Sequence, residues 1–348
     1  MDIHPINEVG KENWNAFVAK HYPPVGAFMQ TWEWGEFQKA LGRKIERYVM
    51  EADSGEHIAV FTVVYHSLPF GFSYGYSPRG PVISKHLDGD AINKVFQKIA
   101  LWTKQNFKDI IFLRLEPPLT SAIRGLRDSE FRQPAYYIQP RHNLFVSLAQ
   151  TENEILESFH PSTRSNIKRA LRRGVRDQVK HALSGSELKE FYLMTEDTIK
   201  RNSGKNVYPH RHYFETLIRT IPKIGEKANP DKLELGIRYA YQNEKAAAAE
   251  FTVFFGNTAT YLYGASFSER LSSKATTFLH WAEILEAKRR GFLYYDFGGI
   301  DETIWPTLTN FKRQFRGAEL SYIGNVDIPL KPKMYQAYNF FRRAAKLK

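Results

Sequence analysis

The chain has 348 residues, 43% hydrophobic and 25% charged, with 49 Lys and Arg against 37 Asp and Glu, a net charge of +12. This is the composition of a globular protein long enough for two domains, each burying its own core. No cysteine is present, which excludes disulfides, thiolate zinc sites, iron–sulfur clusters and a cysteine nucleophile.

At the N-terminus, Met1-Asp2-Ile3-His4-Pro5 has neither a basic leader nor an apolar segment, so the expectation is a cytoplasmic protein. Ile58-Ala-Val-Phe-Thr-Val-Val64 is a continuous apolar, β-branched run and predicts a buried strand. The longest apolar run ends at Tyr65, far short of the ~20 residues that cross a bilayer. A glycine-rich turn leads to Tyr74-Gly75, and Ile92, Val95, Phe96 and Ile99 recur at helical spacing before a second apolar strand, Ile110 to Leu115.

The region from His160 to Lys180 carries Arg164, Lys168, Arg169, Arg172, Arg173, Arg176 and Lys180 against a single acid, Asp177. Ile167, Leu171 and Val175 predict an apolar stripe on a helix capped by Ser162 or Thr163 and ended by Gly174. Like charges at i,i+4 destabilise a helix, so a cationic face of this density suits phosphate, by shape and charge and without base stacking. A solvated face is the alternative reading.

Leu188, Phe191, Thr195 and Ile199 share one helical face. Then the earlier order returns: a strand from Ala248 to Phe255, another ending Tyr261-Leu-Tyr-Gly264, a helix with Phe278, Ala282 and Leu285 on one face, and the strand Leu293 to Phe297. Lys288, Arg289, Arg290 and Gly291 close that helix. Landmarks of the two halves lie about 184–190 positions apart, too long a period for a solenoid. We read α/β (α+β) architecture: two related domains in tandem, mixed sheets with flanking helices. The first spans 1–148 with 325–348 and the second 149–324. The closing segment, Lys331 to Lys348, puts Met334, Tyr338 and Phe341 on a basic helix that packs back on the first domain.

Familiar catalytic motifs are missing. There is no HExxH, Walker loop or dinucleotide GxGxxG, and Gly264-Ala-Ser266-Phe-Ser268 lacks the second glycine of a nucleophile elbow. His210-Arg-His212 has no neighbouring carboxylate, so no metal site is expected. The remaining candidates are polar residues at strand ends or in rigid turns: Arg79 in Ser77-Pro-Arg-Gly-Pro81, Glu116 before Pro117-Pro118, Asp296 before Phe-Gly-Gly299, and Lys312 between Phe311 and Phe315.

Together these segments resemble the Fem family of peptidoglycan-bridge aminoacyltransferases, of the FemA, FemB and FemX types. The resemblance runs through Gln30-Thr-Trp-Glu-Trp-Gly-Glu-Phe37, Pro78-Arg-Gly-Pro81, Leu113-Arg-Leu-Glu-Pro117 and Ser162-Thr-Arg-Ser-Asn-Ile-Lys-Arg-Ala170. It continues through Tyr261-Leu-Tyr-Gly-Ala-Ser266, His280-Trp-Ala282, Tyr295-Asp-Phe-Gly-Gly-Ile300 and Phe311-Lys312.

The resemblance implies two GNAT-like domains of the compact FemX-like form, the first binding a UDP-linked or lipid-linked peptidoglycan precursor and the second facing aminoacyl-tRNA. It implies transfer of an amino acid from that tRNA, as co-substrate without other cofactor, to the stem-peptide amine, by a monomer in peripheral contact with the inner membrane face. It gives Lys312 the task of neutralising transition-state charge beside Phe311, and Glu116 that of orienting or deprotonating the amine. Gln38, Arg79, Tyr213, Tyr263 and either Arg201 or Arg211 then line the precursor site; Gln38 stands where some relatives carry a phosphate-binding lysine. The tRNA contacts fall to Arg164, Lys168, Arg169, Arg172 and Arg173. Two rival readings are an acyl-CoA-dependent N-acyltransferase, whose pyrophosphate loop is not visible here, and a non-catalytic RNA- or envelope-binding protein on the same scaffold.

Overall fold

In the computed structural model, residues 1–6, 10–121, 126, 130–134, 136–202, 206, 208–225 and 227–346 are described. In chain order the first sheet is built from β1 (Asp2–Pro5), β2 (Ile45–Glu51), β3 (His57–Ser67), β4 (Ser73–Ser77), β5 (Val82–Ile83) and β6 (Phe112–Leu115), with α1 (Lys11–His21), α2 (Trp32–Ala40) and α3 (Gly89–Asn106) between them. The second sheet follows with β7 (His142–Ser147), α4 (Glu152–Ser158), α5 (Pro161–Arg172), β8 (Arg176–Val179), α6 (Gly185–Arg201), α7 (Arg211–Thr220), β9 (Glu234–Gln242), β10 (Lys245–Phe255), β11 (Thr258–Ser266), α8 (Ala275–Arg289), β12 (Tyr294–Ile300), α9 (Pro306–Arg313) and β13 (Ala318–Ser321). The chain then returns to the first sheet with β14 (Val326–Pro329) and ends in α10 (Pro332–Lys346).

Sheet 1 runs β1-β2-β3-β4-β6-β14, with β5 paired to β3; sheet 2 runs β8-β9-β10-β11-β12-β7-β13. Within each, three antiparallel strands lead into one parallel pair, β4 with β6 and β11 with β12, bridged by a helix (α3 or α8). The same pairing sequence in both sheets is the duplication expected from the chain. In sheet 1, α3 covers one face through Val95, Phe96, Ile99 and Ala100 against Phe61, Val63 and Leu113, capped at its start by Asp88. In sheet 2, Ile284 and Ala287 of α8 pack on Phe254, Tyr295 and Phe297.

Four expectations change. Two compact units form, Met1–Pro23 with Met29–His142 and Ser321–Lys348, and Pro24–Phe28 with Asn143–Leu320. The expected boundary at 148 cuts after β7, yet that strand belongs to sheet 2. Helix α8 does not bury Ala282 and Leu285, which are half-exposed; its inward face carries His280, Glu283, Ile284 and Ala287, so a polar residue breaks the apolar spacing. The basic helix is capped by His160, whose Nδ1 accepts from the Ser162 amide at 3.2 Å, and buries Thr163, Ile167 and Ala170 while Leu171 is 55% exposed. Arg176 and Lys180 lie beyond it, and Lys180 pairs with Glu187 at 2.7 Å. On α10 the docked aromatics are Tyr335 and Tyr338; Met334 and Phe341 face solvent.

Candidate active site

In the second unit, β11 and β12 pair in parallel from Thr258 opposite Tyr294 to Thr260 opposite Asp296, and the pairing stops there although both strands continue. Gly298, at φ +73°, turns β12 at this point, and a Cβ on it would lie 3.4 Å from the Tyr261 carbonyl oxygen and 4.0 Å from Lys312 Nζ. Both are ordinary contact distances, so it is the positive φ of the turn that favours glycine here.

Lys312 enters from α9, which begins at Pro306 and turns Thr309 and Lys312 inward. The residue is 4% exposed, and its Nζ donates to the Gly299 carbonyl at 2.7 Å and lies 5.8 Å from the centre of the Tyr261 ring. Burial lowers its pKa to about 8, against the opposing pull of the Asp296 carboxylate. Asp296 is fully buried and accepts from the Gly298 amide at 2.8 Å and from Asn143 Nδ2 at 3.0 Å, so one carboxylate shapes the turn and supplies the counter-charge.

The wall around the ammonium is aromatic. His280 packs within 4.8–5.6 Å, centre to centre, of Tyr261, Phe297, Phe311 and Phe315, and its Nδ1 meets Tyr295 Oη at 2.8 Å. Burial, reinforced by the Lys312 charge, lowers the His280 pKa to about 3, so the ring is neutral. Glu250 approaches it at 3.7 Å, and burial together with Glu283 pushes that carboxyl well up. The ammonium of Lys312 stands beside this neutral ring. Sequence reasoning did not single out His280 or Glu250 chemically; the signal was a glutamate inside the apolar strand Ala246-Ala-Ala-Ala-Glu-Phe251.

Of the other expected residues in this unit, Tyr213 and Tyr263 come together, hydroxyl to hydroxyl at 3.2 Å, from α7 and β11. Arg201 is held by Ser266 and Ser268, donating to Ser268 Oγ at 2.8 Å. Arg211 sits on α7 two positions before Tyr213, with its side chain 63% exposed and a Glu196 partner at 3.5 Å.

In the first unit, Arg79 is buried in the Pro78–Pro81 turn at φ +52°, its guanidinium 4.1 Å over the Tyr322 ring and bonded to the Pro140 carbonyl at 2.7 Å. Glu116 follows β6 and is 1% exposed; its Oε2 accepts from Tyr76 Oη at 2.6 Å and from the Arg79 amide at 3.2 Å. Burial raises its pKa, opposed by Arg79 and Tyr76. Gln38 is also buried and accepts from Arg43.

The cationic helix α5 divides its expected contacts. Lys168, Arg169 and Arg172 are exposed. Arg164 instead bends back to the carbonyls of Glu157 and Phe159, both at 2.7 Å, and Arg173 donates to the Ser272 carbonyl. A shallow depression of about 530 Å³ runs along the helix, lined by Pro161, Arg164, Ser165, Lys168, Leu171 and Arg172. The start of α5 is tied to the residue two beyond Lys312: the His160 amide and Thr163 Oγ1 both donate to the Gln314 carbonyl, at 2.9 and 3.0 Å. Ser162 Oγ reaches the Gln314 side chain at 3.1 Å.

The FemAB family model matches residues 9–135, 128–223 and 231–343. A lipid II:glycine glycyltransferase of Staphylococcus aureus (strain USA300) is 22% identical over 393 aligned positions, covering 92% of each chain. Among solved structures, FemX superposes with a TM-score of 0.77 at 19% identity, over 97% of this chain and 100% of that one. A tandem GNAT protein from the clavulanic acid biosynthesis pathway superposes with a TM-score of 0.54 at 8% identity, over 94% and 98%. The tandem GNAT-like fold expected from the sequence is the fold observed.

Proposed function

The chain belongs to the FemAB family, and from that membership and the geometry around Lys312 we propose that it transfers an amino acid from aminoacyl-tRNA to the stem-peptide amine of a peptidoglycan precursor, as an interpeptide-bridge aminoacyltransferase. The observation that carries this reading is the buried ammonium of Lys312, fixed by the Gly299 carbonyl inside an aromatic wall.

Aminolysis of the ester forms a C–N bond and breaks the acyl C–O bond to the terminal ribose of the tRNA; a proton leaves the amine and ends on the released ribose hydroxyl. Between these states stands a tetrahedral oxyanion, and a preorganised cation in a site that excludes water stabilises it at little reorganisation cost. Below pH 8 Lys312 holds its proton and supplies that cation. Helix α5 brings Lys168, Arg169 and Arg172 to the tRNA backbone, and its bonds to Gln314 link the docked RNA to the segment that carries Lys312.

Tyr213 and Tyr263 receive the precursor, with Arg211 nearby for phosphate; Arg201 is already engaged by Ser266 and Ser268. In the first unit Glu116 acts as a positioning residue. Its carboxylate is enclosed and accepts from the Arg79 amide, so it holds the turn that carries Arg79. For Gln38, buried and accepting from Arg43, we assign no phosphate contact. No cofactor beyond the aminoacyl-tRNA co-substrate enters this chemistry. Among the described residues no helix is long and apolar enough to cross a membrane; we place the protein in the cytoplasm, acting as a monomer and meeting the inner membrane face peripherally.

The test is incubation with a mixed aminoacyl-tRNA pool and either soluble or lipid-linked precursor, followed by mass spectrometry of the precursor. The expected result is a mass gain of one amino-acid residue that ribonuclease pretreatment abolishes. A gain that persists without tRNA and requires acyl-CoA would instead establish the acyl-CoA chemistry.

A further inference from the structure

Helix α10 lies on sheet 1 through Tyr335 and Tyr338, which pack with Ile111 and Phe112 of the first unit. Away from that face Met334, Ala337, Phe341 and Ala344 recur at helical spacing, joined by Phe340. Phe340 is 69% and Phe341 68% exposed. Lys333 and Arg343 are exposed beside them, and residues 331–348 hold six Lys and Arg with no Asp or Glu.

A second element stands next to this helix. Leu68 and Phe72 pack against the same aromatic cluster as Tyr335 and Tyr338, so the loop they anchor rises beside α10. Its tip is Phe70, 94% exposed and at φ +62°, a backbone region that disfavours a bulky side chain. The backbone conformation belongs to the tight β3–β4 turn, closed by the Leu68 amide donating to the Phe72 carbonyl at 2.7 Å, but that turn does not require an aromatic ring held out in solvent.

We propose that α10 and Phe70 form a docking surface for an anionic phospholipid bilayer, with the helix lying in the plane of the interface. An apolar strip flanked by cations on a helix too short and polar to span is the pattern of an interfacial helix. Charge complementarity selects the occupant. A second copy would set one acid-free cationic segment against another, and RNA would satisfy the cations while leaving the apolar strip in water. This deepens the peripheral membrane contact proposed above, yet it does not depend on the identity of the acceptor.

The experiment is co-sedimentation of the full chain with vesicles of phosphatidylcholine and phosphatidylglycerol (3:1), and with phosphatidylcholine alone, neither containing precursor. The wild type partitions to the anionic vesicles and is released by 0.5 M salt. The variant F70S/F340S/F341S loses about tenfold in partitioning, and K333E/R343E loses binding to anionic vesicles selectively. All these side chains are exposed, so melting temperature and transfer to soluble precursor stay at wild-type values. The proposal is overturned if the wild type does not pellet with anionic vesicles, if the triple variant binds equally, if bound tRNA abolishes vesicle binding, or if light scattering shows a dimer that the triple variant dissolves. Vesicle binding by a protein that fails every transfer assay would sink the proposed chemistry and leave the docking surface standing.

Discussion

Replacing Lys312 by methionine separates the electrostatic argument from a merely structural one. The folded state holds this amine near pKa 8 where the ordinary value is 10.5. The unfolded chain therefore binds the proton more tightly. Keeping the ammonium buried costs about 3 kcal/mol of stability below pH 8, a cost relieved as pH rises from 8 through 10.5. Methionine removes this cost and leaves the Gly299 carbonyl without its donor, a loss of about 1–3 kcal/mol. The net change lies between roughly zero and 2 kcal/mol in favour of the variant, so its melting temperature should hold or rise by a few degrees.

Activity moves the other way. Loss of one preorganised charge-stabilising donor lowers turnover by about 10²–10³-fold. The assay is single-turnover transfer of a radiolabelled amino acid from tRNA to precursor, run from pH 6 to 9.5 beside thermal melts. In the parent, kcat/KM should decline above about pH 8 as Lys312 loses its proton, and that limb should be absent from the residual rate of K312M. Turnover within tenfold of the parent, or a variant that melts far below it, would refute the reasoning.

Asp296→Asn keeps an acceptor for the Gly298 amide but removes the counter-charge, so the alkaline limb should move to lower pH; an unmoved limb, followed by the same assay, removes Asp296 from the electrostatics. Glu116→Gln preserves the Tyr76 contact and should retain transfer within about fivefold, whereas a general base lost here would cost 10²-fold or more. Reversing Arg169 and Arg172 to Glu should weaken tRNA binding and flatten its dependence on salt by ~1 in log–log slope per cation, measured by filter binding; Arg164→Ala, whose guanidinium is held by backbone carbonyls, should change that slope little. Asp327→Asn breaks a buried bidentate pair with Arg114, 2.7 Å on each arm, and should cost about 3–5 kcal/mol in a denaturant melt; a loss below 1 would show the pair to be dispensable.

The strands were legible where burial on both faces demands continuous apolar, β-branched runs, as in Ile58–Val64 and Ala248–Phe255, and their order exposed the duplication. Lys312 and Asp296 were legible as polar residues in apolar or glycine-rich settings, and the family resemblance supplied their context. What escaped were sites where a polar side chain does an apolar residue's packing. His280 and Glu283 face inward on α8, so hydrophobic spacing found Phe278 but missed the polar half of the buried face. Arg114 in Phe-Leu-Arg-Leu115 was a visible anomaly, but its partner Asp327 lies in a four-residue strand too short to show any period. The end of α5 was misread for a related reason: Leu171 looks like core, and only the position of α8 decides that Ala170 is buried instead.

The return of the chain to sheet 1 bears on how the protein is made. Arg114 is synthesised 213 residues before the carboxylate that neutralises it, and β6 has no neighbour on that side until β14 leaves the ribosome. The N-terminal unit is therefore left open throughout translation and closes last, although its residues are made first. A prematurely terminated product would expose an unpaired strand edge beside a cation with no partner, a combination that invites proteolysis.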